Sequence, residues 1–182
     1  MSKINLKTGS LYTPVFVLMI LFFSLSKSFG QETGFIGGVG SAYAFNDDLL
    51  GANGRFYYGL NEAFCFGPEI SFFPYQDVDE ANQIQLLDIS FNGHYIIEFT
   101  EKFGVYPLTG VNFTSERERL IEDTDEIETI DELGINYGFG VHYNISSVYI
   151  FTEFSGIIGQ LSDEFITAGV IFHLGKKEKE KH

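Results

Sequence analysis

The stretch Leu133-Gly134-Ile135-Asn136-Tyr137-Gly138-Phe139-Gly140-Val141-His142-Tyr143-Asn144-Ile145 decides the fold. Its odd positions carry Leu133, Ile135, Tyr137, Phe139, Val141, Tyr143 and Ile145; its even positions carry Gly, Asn and His. Seven large side chains on one side and six small or polar ones on the other is the period of a β-strand. A helix would scatter the same residues around its whole circumference, so helix is excluded here.

The same alternation spreads outward from that stretch. Leu87, Ile89, Phe91, Tyr95, Ile97 and Phe99 oppose Asp88, Ser90, Asn92, His94 and Glu98. Phe64, Phe66, Ile70 and Phe72 oppose Cys65, Gly67, Glu69 and Ser71; Phe103, Val105, Val111 and Phe113 oppose Gly104, Gly110 and Asn112. Val148–Gly156 is more mixed, and Phe165–Leu174 closes the series with Ile166, Ala168, Val170, Phe172 and Leu174 on one face. Two glycine-rich strands, Gly34–Phe45 and Leu50–Leu60, come first, with a register the pattern leaves open. That makes eight strands. Links of hairpin length at 61–63, 100–102 and 146–147 alternate with longer ones at 46–49, 74–83, 115–131 and 159–163. One end is therefore trimmed and the other carries excursions, as in an antiparallel up-and-down meander. The predicted fold is all-β, an eight-stranded antiparallel barrel over residues 31–174.

Composition narrows the function classes. The chain has 182 residues, 45% hydrophobic and 16% aromatic, with Lys plus Arg 11 against Asp plus Glu 25. Such apolar content excludes a disordered chain, and the acidic balance excludes nucleic acid as a partner. One cysteine, Cys65, supports neither an internal disulfide nor a cysteine-based zinc site. Residues 1–30 read as a secretory signal peptide: Lys3 and Lys7 precede an apolar run from Val15 to Leu25, and Ser28 and Gly30 stand at −3 and −1 of a cut before Gln31. A single membrane anchor is the competing reading, but that run is about half of the roughly 20 residues a spanning helix needs. Removing residues 1–30 leaves 8 basic against 25 acidic residues, a formal charge of −17. Residues 175–182 are a charged tail with no apolar pattern, expected to be disordered.

Alternation alone does not say which face is buried. In a soluble lipocalin-like barrel the large face points inward around an apolar ligand. Here the second face is rich in Gly, Asn, Ser and His, and of the eight basic residues after position 30 only Arg55 falls on a predicted strand. Small residues suit the cramped interior of an eight-stranded barrel. The broad face, with Phe91, Tyr95, Ile135, Tyr137, Phe139, Val141, Val170 and Phe172, is then expected to meet hydrocarbon, which strands of about 9–11 tilted residues can cross.

Over residues 34–174 the chain resembles the small outer-membrane β-barrel proteins of Gram-negative bacteria, the OmpA/OmpX-like group of porin-like barrels. The resemblance rests on the alternating strands, the short-turn and long-loop asymmetry, and the last strand, Phe165–Leu174. That strand, ending Gly169-Val170-Ile171-Phe172-His173-Leu174, is similar to the closing signal that barrel-insertion machinery reads. The resemblance implies transmembrane β-strands in the outer membrane at the cell surface. It also implies contact with outer-membrane lipid and lipopolysaccharide, a monomer, no cofactor, and a structural or surface-interaction role rather than catalysis. A soluble lipocalin-like barrel in the periplasm or medium, or a narrow small-solute pore, are the alternatives.

Candidate chemistry lies on the small face: Arg55, Glu69, Asp88, His94, Glu98, His142 and Glu153. Either these handle protons or substrate, or they form a hydrogen-bonded plug around the one available cation. The plug is the preferred reading, with Glu69 as the partner of Arg55. Lipid-A-modifying barrels use a lipid-facing Ser and His close together; His94, His142 and His173 have no serine two residues away, so no catalytic residue is assigned. The excursion 115–131 holds eight carboxylates against Arg117 and Arg119. Its Asp123-Thr124-Asp125-Glu126 lacks the glycine and spacing of a calcium loop, so it reads as a solvated acidic loop or protruding hairpin, open to an external partner, with no metal assigned.

Overall fold

β-Branched and aromatic side chains at every second position pack well on a pleated backbone, and strands form wherever the alternation runs. The protein is described by a computed structural model covering residues 34–122, 127–159, 161 and 163–174. The predicted signal peptide, the charged tail and residues 123–126 lie outside the described residues.

The elements are β1 (Gly34–Ala44), β2 (Leu49–Gly59), β3 (Phe64–Asp77), β4 (Asn82–Tyr95), β5 (Ile97–Glu98), β6 (Phe103–Leu120), β7 (Ile127–Ile145), β8 (Val148–Ile158) and β9 (Glu164–His173). β4 and β5 form a single stave, interrupted only at Ile96, whose N–H donates to the Ala63 carbonyl at 2.7 Å. Every stave pairs antiparallel with its chain neighbour, and β1 pairs with β9 through Val39↔Val170, closing the sheet. The result is a closed eight-stranded antiparallel barrel, as expected, with no edge left within the wall.

The hairpin-length turns stand at one end and the longer connections at the other. One boundary differs from expectation. Most of the excursion 115–131 is strand: β6 continues to Leu120 and β7 begins at Ile127, paired Arg119↔Ile127. Its charged residues hide the alternation, yet backbone pairing simply propagates past the rim. β4 follows on the other side, with Asn82↔Leu120, so three strands rise together above the long-loop rim.

Small residues and amides are not all that fills the interior. An apolar cluster toward the long-loop end contains Leu49, Phe73, Ile84, Leu86, Ile157 and Phe165. A second cluster toward the short-turn end contains Ile36, Tyr57, Cys65, Ile96, Tyr106 and Leu108. Large residues near the rims share the inward parity; Phe73 precedes a bulge between Phe73 and Gln76.

Candidate functional site

Between the two apolar clusters lies a belt of buried polar groups contributed mostly by β2, β3, β4, β6, β7 and β8. Each sits on the inward parity of its strand, so register decides who meets whom. Arg55 on β2 stands directly opposite Glu69 on β3, and their ion pair measures 3.1 Å at Nη2. The guanidinium also crosses the lumen: Nη1 lies 3.0 Å from Glu153 Oε2 on β8. Its Nε donates to Asn53 Oδ1 at 3.0 Å, and its carbon sits 4.0 Å above the Phe151 ring. A rigid planar fork binding two carboxylates at once is a geometry suited to Arg and not to Lys.

Around that centre, Tyr57 donates to Glu69, Asn92 donates to Glu69 Oε1 at 2.8 Å, and Tyr106 donates to Glu153 Oε2 at 3.0 Å. His94 brings Nε2 to 3.5 Å from Glu69 Oε1, and its ring stacks on Tyr106 with centroids 5.0 Å apart. Tyr106 itself lies across Gly140, opposite it in the register; a Cβ at 140 would stand 2.3 Å from the tyrosine ring. Nearer the short turns, His142 Nε2 is 3.0 Å from Glu98 Oε1. Gly104 opposes His142 and makes room for that pair, since a Cβ there would come within 2.8 Å of both partners.

All seven sequence-selected residues on the small face thus point inward, buried or nearly so, but they divide into three groups. Arg55, Glu69, Glu153 and His94 form the centre. Glu98 and His142 form a separate pair. Asp88 stands with Asn112, Thr114 and Ser90, which donate to it at 2.6, 3.2 and 3.2 Å. Glu153 as the second partner of Arg55 was not legible, because the two strands are not neighbours. Tyr57 and Tyr106 were also missed, although Tyr57 shares the parity of Arg55 and Tyr106 that of Gly104. Of the outward set, Phe91, Ile135, Tyr137, Phe139, Val141, Val170 and Phe172 are exposed, and Tyr95 on the same face is half-buried.

Glu69, His94 and Glu153 bring one ligand atom each within 4.8 Å of one another. A metal ion among them would face the guanidinium already bonded to both carboxylates, and that repulsion disfavours it. At the long-loop mouth a pocket of about 250 Å³ is lined by Asp47, Glu116, Asp163, Thr114 and Leu86 among others. Burial raises the Asp47 carboxyl above its ordinary range, with Asp48 adding to the effect. Burial raises Asp163 as well, against N–H donors from Glu164 and Asn46 that favour its charged form. In the β3–β4 turn, by contrast, the backbone N–H of Ala81 and the Asn82 amide lower Asp79.

Wall and interior together define a small closed β-barrel with an apolar exterior and a charged, hydrogen-bonded interior. Solved structures share that architecture. Outer membrane protein OprG of Pseudomonas aeruginosa superposes with a TM-score of 0.65 at 14% identity, over 81% of this chain and 99% of that one. The N-terminal β-barrel domain of Pseudomonas aeruginosa OprF gives 0.59 at 18% identity, over 78% and 98%. The attachment invasion locus protein Ail of Yersinia pestis gives 0.53 at 14% identity, over 78% and 100%. The fold is therefore that of small outer-membrane barrels. No protein-family model matches the chain, and no curated protein matches its sequence.

Proposed function

We propose that this chain is an exported, integral outer-membrane β-barrel whose lumen is plugged and whose acidic long-loop end faces the outside of the cell. Its role is structural or surface-interactive. The observation that carries this reading is the inverted distribution of polarity. Among the described residues thirty-one large hydrophobic side chains are exposed, while Arg55, Glu69, Asp88, His94, His142 and Glu153 are buried. A water-soluble barrel of this size would leave far smaller apolar patches exposed; in hydrocarbon the same surface is solvated, and closure satisfies the wall's backbone groups. Two apolar clusters and the ion-pair centre between them support a closed lumen over a pore, and lipopolysaccharide is the expected neighbour of the outer rim.

Fractionation tests the location. The protein should resist carbonate extraction, require detergent, and run on gels with heat-modifiable mobility; release into dilute buffer as a monodisperse species would overturn the reading. Planar-bilayer recordings test the plug, and stable unitary conductance from purified protein would replace it with the pore.

A further inference from the structure

β7 outruns its neighbour on one side. With β6 it is paired as far as Arg119↔Ile127, but with β8 its pairing stops at Ile135↔Ile158. Glu132 accepts from the Leu161 N–H, and above that contact residues 127–131 have no ladder partner on the β8 side among the described residues. Parity fixes which backbone groups are left over. The Asn144 N–H donates to the Lys102 carbonyl at 2.6 Å, so the even residues of β7 face β6, along a register that runs without a shift to Ile127. Ile127, Thr129 and Asp131 therefore turn their N–H and C=O groups outward. All five residues are exposed. They lie about 23 to 34 Å from the level of Gly140 by the rise of a tilted strand, outside the apolar band.

The opposite flank of this raised sheet is closed. There the Leu50 N–H donates to Gln76 Oε1 and Gln76 Nε2 donates to the Leu50 carbonyl, both at 2.9 Å, so a side chain takes the place of a strand. Pro74 and a bulge also interrupt β3. Proteins blunt exposed edges with lysine, proline or bulges; residues 127–131, Ile-Glu-Thr-Ile-Asp, carry none of these. Their charge selects instead. Glu128 stands directly opposite Glu118, a like-charge pair that destabilises the hairpin. The face they share also holds Glu116 and Glu132, while Arg117 and Arg119 belong to the other face. A second copy in the same membrane does not fit this edge. A two-fold axis along the membrane normal leaves both strands running the same way, crossed at about 80° for a tilt of about 40°, and both acidic.

We propose that residues 127–131 of β7 are a docking edge for an extended, basic segment of another protein, which adds antiparallel as a further strand. Such a partner specifies the surface-interactive role and depends on it. Ile127, Thr129 and Asp131 each exchange a pair of backbone hydrogen bonds with the residue opposite, which supplies the affinity. Side chains supply the selection. A basic residue opposite Glu128 neutralises it and removes its repulsion with Glu118, and a second faces Asp131. Apolar residues opposite Ile127 and Ile130 cover their exposed side chains, and a Thr faces Thr129. Read from its N-terminus, the segment is basic, apolar, Thr, basic, apolar; Arg-Val-Thr-Lys-Val is the simplest case. Acidic segments are repelled at the same positions.

The test uses the whole barrel folded in zwitterionic detergent and a fluorescent, end-capped peptide Arg-Val-Thr-Lys-Val, with binding read by polarisation. The peptide should bind saturably, and more weakly as salt rises. Methylating the backbone nitrogen of its Thr, whose N–H points at β7, should weaken binding at least tenfold (about 1.4 kcal/mol). Methylating that of its Lys, whose N–H points away, should leave binding unchanged. Thr129→Pro removes the central donor at a position whose N–H does not serve β6, so the barrel should fold and lose the peptide to the same degree. Should that variant fail to fold, the two methylated peptides decide on the unaltered barrel. Glu128→Lys should turn the preference from this peptide to Arg-Val-Thr-Glu-Val. Equal binding of the two methylated peptides, undiminished binding to folded Thr129→Pro, or no saturable binding of the parent peptide would overturn the docking edge. None of these results touches the membrane assignment, which fractionation decides separately.

Discussion

Replacing Phe139 by arginine asks directly whether the outer face meets lipid. Phe139 is 62% exposed and lies on β7, which pairs with β8 from Ile135 to Ile145. At about 3.4 Å per residue and a tilt of about 40°, that eleven-residue run rises about 28 Å, close to the roughly 25 Å apolar band of such barrels. Its centre is Gly140, so Phe139 lies about 3 Å from the midplane by the same rise. Leu133 shares the outward parity and is more exposed, at 78%. It lies seven residues from the centre, about 18 Å along the normal, and so beyond the band. Arginine at the midplane costs about 2–4 kcal/mol, falling to about 0–1 near the interface. Phe139→Arg should therefore lower the stability of the barrel in lipid vesicles by about 2–4 kcal/mol, while Leu133→Arg costs at most about 1. Urea titration of vesicle-folded protein, read by tyrosine fluorescence and by the unheated gel shift, measures both. In a water-facing barrel both positions are exposed surface sites and each substitution costs within about 0.5 kcal/mol. Equal and small costs at both sites would refute the lipid assignment.

Other expectations follow from the interior and the mouth. Arg55→Met leaves Glu69 and Glu153 buried without their cation and should cost about 3–5 kcal/mol; adding Glu69→Gln and Glu153→Gln should recover most of it in the same urea assay. Gly140→Ala drives a methyl into the Tyr106 ring, so it should destabilise the barrel by about 1–3 kcal/mol. Combining it with Tyr106→Phe should not restore stability, because the ring remains, whereas Tyr106→Leu should recover part. Asp163 has a raised folded-state carboxyl, so its own contribution to stability is fully present below about pH 3.9 and is lost as pH rises through the folded value. Asp163→Asn keeps the acceptor oxygen without the charge. Its advantage over wild type should be absent in acid, grow through the carboxylate range and level off above it, as denaturation midpoints across pH would report.

How much of this was legible in the chain depends on whether the cause is local. Alternation in Leu133–Ile145, or in Leu87–Phe99, is carried by residues two apart, so strands and faces could be read without knowing any partner. The tight links at 61–63, 100–102 and 146–147 made neighbouring staves antiparallel, which is why Arg55 and Glu69 could be matched in advance. Strand content in 115–131 was obscured because acidic residues have low strand propensity, and only pairing with β4 and with each other carries β6 and β7 past the rim. The large inward residues were obscured for a related reason: Phe73 and Phe165 toward the long-loop rim, and Phe151 beneath Arg55, share the composition of the outer face and differ from it only in parity.

What the chain by itself determined is a meander of eight strands, each with a broad apolar side and a small polar one. What only tertiary structure decided is the circumference: the closure of β1 on β9, the stagger of the staves, and hence which side chains meet across the lumen. Glu153 reaches Arg55 over two intervening strands, and the placing of Asp88 among the neutral side chains of Ser90, Asn112 and Thr114 depends on the register of β4 against β6. Distances across a barrel depend on strand number and shear, which belong to the whole sheet and to no single segment.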